Sequence, residues 1–164
     1  MTNILEKLMS IPQAQGAGGE TIYQQVAFTL ALNKAVYPFN ETAPSHAQAN
    51  LVFISTVTPP VVLEFFSLQH FDVIIINDNG DKVFQWSAGR AFPQIASNIP
   101  VTGEIEWDVD VTLADNLTAN KGKSLPAGNY IAQAFLVNRT DVGTRNPQAF
   151  SRKYAANVMF TIAP

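Results

Sequence analysis

The chain has 164 residues, a net charge of −3, no cysteine and only 14% charged residues. That length suits one domain, able to bury about 70% of its unfolded surface without a disulfide or metal. The missing cysteines exclude disulfide scaffolds, zinc knuckles, iron–sulfur centres and thiol nucleophiles, and a mildly acidic chain lacks the basic face that nucleic acids require.

Ile4, Leu5, Leu8 and Met9 have helical spacing, but Pro12 stops the run after a turn or two. Residues 13–19 (QAQGAGG) read as a linker. Residues 1–20 are therefore expected to form a flexible or short helical tail, and residues 21–164 the domain. Met1 to Met9 carries Glu6 and Lys7 and no long apolar core, unlike a secretory signal. No window approaches the roughly 18 apolar residues of a membrane span. The expected setting is soluble and cytoplasmic, and the sequons at Asn40, Asn116 and Asn138 are read as chance.

From Thr21 the pattern is β. The first strand is expected within Thr21–Ala35, with a break at Tyr37–Asn40 and a polar loop over Ala43–Gln48. Further strands are expected over Ala49–Val57, Val61–Phe66, Phe71–Ile76 and Val83–Ser87. Asn77–Asp81 between two apolar runs is a hairpin signal, with Gly80 supplying the positive φ. Strands over Glu104–Leu113, Asn129–Val137 and Asn157–Ile162 complete the chain. Short strands with turn signals and no long helical window predict an all-β sandwich.

From Glu104 to Val111 every even position is acidic and every odd one apolar. Side chains alternate faces along a strand, so Ile105, Trp107, Val109 and Val111 are assigned to the core, as is Trp86 from the preceding strand. Glu104, Glu106, Asp108 and Asp110 form an acidic ladder on the outer face. Its same-face neighbours stand about 7 Å apart, too far for one ion to gather. A solvated outer face meeting cross-strand Lys or Arg is the first expectation, and a docking face for a basic partner is the alternative.

The residues for catalysis do not assemble. GxSxG, HExxH and a glycine-rich dinucleotide turn are missing. Gly122-Lys123-Ser124 lacks the first glycine of a phosphate loop, because Leu117 stands there. His46 reads as exposed, and His70 as sharing local hydrogen bonds beside Gln69 and Asp72. No catalytic residue, cofactor or metal ligand is assigned.

Several pieces in order give the stretch Ala49–Val137 a resemblance. They are Val62-Leu63-Glu64-Phe65-Phe66-Ser67, Gln69, Phe71-Asp72-Val73, the turn Asn77–Asp81, and Val83-Phe84-Gln85-Trp86-Ser87. Phe92-Pro93-Gln94, Gly103-Glu104, Trp107 and Pro126-Ala127-Gly128-Asn129-Tyr130 follow. The set resembles the BsuPI-like intracellular proteinase inhibitor domain, although the family's Gly before Gln is Leu68 here. The resemblance implies an immunoglobulin-like antiparallel β-sandwich that performs no chemistry and binds a protein partner, a subtilisin-type serine protease. The alternative is a structural or assembly module of a larger complex without inhibitory activity. Oligomeric state is left open.

Ser87–Asn98 is the segment best suited to outward contact. Gly89, Arg90, Ala91, Phe92 and Pro93 are the candidate contact residues, because Arg and large aromatics anchor interfaces. For Phe92 a second reading stands beside this one: a plug tucked under the sandwich.

Overall fold

The computed structural model describes residues 21–23, 26–138 and 154–164. The tail expected over 1–20 and the polar loop from Asp141 to Gln148 lie outside them. Eleven strands appear among the described residues. They are β1 (Thr21–Tyr23), β2 (Val26–Leu32), β3 (Val36–Pro38), β4 (His46–Ser55), β5 (Val61–Phe65), β6 (Phe71–Asn77), β7 (Lys82–Gln85), β8 (Ser97–Val101), β9 (Gly103–Thr112), β10 (Gly128–Leu136) and β11 (Ala155–Ala163). The protein is all-β, as the sequence pattern predicts.

The strands form a four-stranded sheet β1-β2-β4-β9, a five-stranded sheet β3-β11-β10-β6-β7 and a two-stranded ribbon β5-β8. Inward side chains from all three meet in one core. Phe28, Leu51 and Phe53 come from the first sheet, Tyr37, Val73, Ile75 and Leu136 from the second, and Leu63 and Val101 from the ribbon. Aromatic edges lock this core, with Phe53 against Tyr154 at 4.9 Å and Tyr37 against Phe160 at 5.9 Å.

The 71–85 hairpin follows the sequence closely. The Asn77 carboxamide accepts the N–H groups of Asn79 and Asp81 at 3.0 and 2.9 Å, and Gly80 takes φ +84°, which an L side chain resists. Tyr130 closes the turn before β10 by donating its hydroxyl to the Pro126 carbonyl at 2.5 Å.

Several expectations need correction. The strand expected within Thr21–Ala35 is β1 and β2 paired with each other, Tyr23 opposite Val26. The expected break at Tyr37 is β3, whose Tyr37 is buried. β3 runs parallel to β11, so the sheets are not antiparallel throughout. β4 starts at His46, inside the expected polar loop, which leaves His46 exposed. β8 falls at the end of the segment assigned to an outward loop. Its alternation was hidden by Pro100, a residue confined to sheet borders.

Trp86 and Trp107 are half-buried and pack against the core from outside rather than filling it. Both alternate inward, but β9 borders one sheet and β7 the other. Neither tryptophan has a neighbouring strand on one flank, and together they stand at the open side between the sheets. Asn116 covers the β7 border. Its carboxamide accepts the Gln85 N–H at 2.9 Å and donates to the Gln85 carbonyl at 2.8 Å, as a neighbouring strand would.

Candidate functional site

A cluster of aromatic rings fills the open side. Phe71 lies 4.6 Å from Trp86 and 6.2 Å from Trp107, between centroids. Phe92 reaches Trp86 from outside at 5.7 Å. The Arg90 guanidinium lies 4.3 Å above the Trp86 ring and donates its Nε–H to the Trp86 carbonyl at 2.8 Å. Of the five candidate contact residues, Arg90 and Phe92 are thus brought onto one tryptophan. Gly89, Arg90, Ala91 and Pro93 are exposed, and Phe92 is half-buried. Phe92 partly fills the plug role, since one face of it is spent on Trp86.

The segment is held rather than loose. The N–H of Ala88 donates to the Gln85 carbonyl at 3.1 Å and that of Arg90 to the Ser87 carbonyl at 3.0 Å. Gly89 sits in this turn at φ +77° with open space around its α-carbon, so it serves turn geometry. The Pro93 carbonyl accepts the N–H groups of both Leu68 and Ile95, at 3.0 and 2.9 Å. That shared acceptor sets Leu68, 47% exposed, beside Ile95, 57% exposed. The result is an apolar shoulder next to Phe92. Neither residue belongs to the five sequence-assigned contacts, and Leu68 carried no signal beyond standing where the family has glycine.

Trp86 is positioned from beneath by Asp72, 2% exposed. Its carboxylate accepts the N–H groups of Val73 (2.9 Å) and Ser87 (3.1 Å), the Gln85 carboxamide (2.8 Å) and the Ser87 hydroxyl (2.5 Å). Gln85 and Ser87 flank Trp86 in the chain, so one buried carboxylate clamps both of its neighbours. Gln69 donates its carboxamide to the Phe71 carbonyl at 3.1 Å.

The histidines do not join the cluster. His46 Nδ1 lies 3.0 Å from Asp110, with both side chains 54% exposed. His70 stacks on Phe65 at 4.2 Å, and its buried Nε2 has no hydrogen-bond partner among the described residues, so that atom does not share the expected local bonding. Burial pushes its pKa down. Asp115 lies in a separate loop. Burial pushes its carboxyl up, but the Thr118 hydroxyl and the N–H groups of Thr118 and Leu117 outweigh that, and the net shift is downward. Among the described residues no group of three or more His, Cys, Asp or Glu side chains gathers as a metal site.

Among the described residues, Glu106, Asp108 and Asp110 of the acidic ladder meet amide side chains, and Asp110 also meets His46. Gln48 donates to Asp110 at 2.7 Å, and Asn50 to Glu106 and Asp108 at 2.7 and 2.9 Å. Cross-strand register explains this, because β4 sets Gln48 and Asn50 opposite Asp110 and Asp108.

Sheets joined by one core, with aromatic and arginine side chains at a sheet border, define an all-β protein. The chain matches the family described as BsuPI, intracellular proteinase inhibitor, over residues 30–141, and it belongs to that family. No curated protein matches it. Among solved structures it is similar to Spo0M, a sporulation control protein from Bacillus subtilis. The identity is 10% and the TM-score 0.45, over 86% of this chain and 49% of that one. It is also similar to a β-glucosidase, EmGH1, from Erythrobacter marinus, at 9% identity and TM-score 0.44, over 84% of this chain and 16% of that one. The chain thus spans about half of the first structure and a small part of the second. Among the described residues no helix is long and apolar enough to cross a membrane.

Proposed function

We propose that residues 21–164 form a cytoplasmic, non-catalytic domain of immunoglobulin-like architecture that binds and inhibits a subtilisin-type serine proteinase, with residues 1–20 as its tail. The architecture is supported by strand order. If β2, β4 and β9 take the places of strands A, B and E, and β6, β10 and β11 those of C, F and G, the two characteristic sheets result. The Tyr130 bond to Pro126 matches the tyrosine corner of such domains, near the start of strand F.

The observation that carries the binding surface is the packing of Arg90 and Phe92 against Trp86, beside exposed Leu68 and Ile95. Arg and aromatic side chains dominate interface energetics. A segment already held in place loses little conformational entropy on docking. Pro93 follows Phe92, so the bond after Phe92 ends at a proline nitrogen and resists cleavage. Titration of a panel of serine proteinases tests the reading. Stoichiometric, non-covalent inhibition with no hydrolysis by the protein itself is expected. Silence across the panel would favour an assembly module instead.

A further inference from the structure

β9 borders its sheet, and no described strand pairs along its outer side. The Leu113 N–H donates to the Ser45 carbonyl at 2.8 Å, one step beyond the β4–β9 ladder and in the same register. In an antiparallel ladder, residues bonded to the partner alternate with residues whose N–H and C=O point away. Counting back in twos, Val111, Val109, Trp107 and Ile105 face β4. Asp110, Asp108 and Glu106 therefore turn their N–H and C=O groups to the open side.

Along that border runs a groove of about 730 Å³. Asp108 and Asp110 stand on its β9 side, Phe71, Phe84 and Trp86 supply apolar surface, and Arg90 and Lys121 also line it. A chain added to β9 would alternate its side chains between two environments. One set would fall beside the aromatic rings. The other would lie opposite the acidic row, where Glu106 and Asp108 are bonded to the uncharged Asn50 amide and Asp110 to Gln48 and His46. A second copy of the chain pairing β9 to β9 would set carboxylates against carboxylates, a destabilising arrangement.

We propose that the open border of β9 docks an extended segment of a partner protein, in which basic residues alternate with apolar ones, by strand addition. Main-chain bonds to Glu106, Asp108 and Asp110 give the affinity, and the acidic row and aromatic groove give the register and choice of side chains. The proposal goes beyond proteinase inhibition through residues 89–93 and stands without it.

The probe is a fluorescein-labelled heptapeptide of alternating Lys and Leu, followed by anisotropy on the whole chain. Two N-methylated versions, one for each alternate set of amides, keep the charge but block pairing. Saturable binding is expected, weakened by salt as the Debye length shrinks below about 10 Å. One N-methylated version should lose about tenfold or more in affinity, the equivalent of ~1.4 kcal/mol. Asp108→Pro should do the same, because the N–H it removes faces the open side and the β4 ladder is left whole. The N-methylated peptides keep the test decisive should that variant unfold. Equal binding by all three peptides would reduce the effect to charge attraction and overturn the proposal. So would absence of binding, or a concentration-dependent dimer in sedimentation that excludes the peptide.

Discussion

Asp72→Ala is expected to be the most informative single change beneath the candidate surface. The carboxylate is 2% exposed and accepts four hydrogen bonds. Gln85 and Ser87 are half-buried, so their side chains can turn to water once the acceptor is gone. The main-chain N–H groups of Val73 and Ser87 cannot move as freely. A buried donor left unsatisfied costs about 1–3 kcal/mol, and bonds to a charged acceptor lie at the upper end. Two such donors, one of them only half-buried, give a loss of about 3 kcal/mol. For a domain of this size that is roughly 6–12 °C in melting temperature. The assay is urea unfolding followed by tryptophan fluorescence, with an unchanged m-value showing that stability alone has shifted. Because Gln85 and Ser87 bracket Trp86, the folded-state emission of Asp72→Ala should also move toward that of a more exposed indole. A variant within about 0.5 kcal/mol of wild type, the range of an ordinary surface substitution, would refute the clamp.

Trp107→Ala should cost less than Phe53→Ala, since Phe53 is 0% exposed and Trp107 half-buried at a border; full-core losses of this kind run about 3–5 kcal/mol. Comparison of the two by denaturant unfolding checks the placement. His70 has a folded pKa below 6.5, so the unfolded chain binds the extra proton first. Its contribution is whole above pH 6.5, erodes as the pH falls from there toward the lower folded value, and should vanish from the pH–stability curve of His70→Phe. Asp115, also lowered, keeps its contribution above the usual carboxylate range and loses it only below about pH 3.8, so the two windows separate in thermal melts across pH. Deleting residues 1–20 should leave the melting temperature nearly unchanged if the domain starts at residue 21.

What the sequence made legible was local. Period-two alternation placed Glu104, Glu106, Asp108 and Asp110 outward and Val109 and Val111 inward, because a strand has only two faces. The Asn77–Asp81 turn was readable because its carboxamide bonds and positive φ lie within five residues. Alternation does not tell which strand ends up at a border, and that is why Trp86 and Trp107 were assigned to the core. Border status depends on pairings such as β4 with β9, whose partners lie up to 66 residues apart (His46 with Thr112). The same distance hid the amides that meet the acidic row. The five contact residues were visible as a combination of arginine, aromatic and turn glycine. The Asp72 clamp and the Leu68–Ile95 shoulder were not, since each joins segments through one long-range acceptor.

The central claim is that residues 89–93 present an inhibitory surface organised on Trp86. Its most direct measurement is the inhibition constant of the wild-type chain and of Phe92→Ala against subtilisin, with melting temperatures recorded in parallel. Stoichiometric inhibition by the wild type is expected. Truncation of Phe92 should weaken it by about 2 kcal/mol, roughly thirtyfold, without a matching loss of stability. Equal inhibition by a folded Phe92→Ala variant would contradict the assigned surface, and no inhibition by the wild-type chain would contradict the function itself.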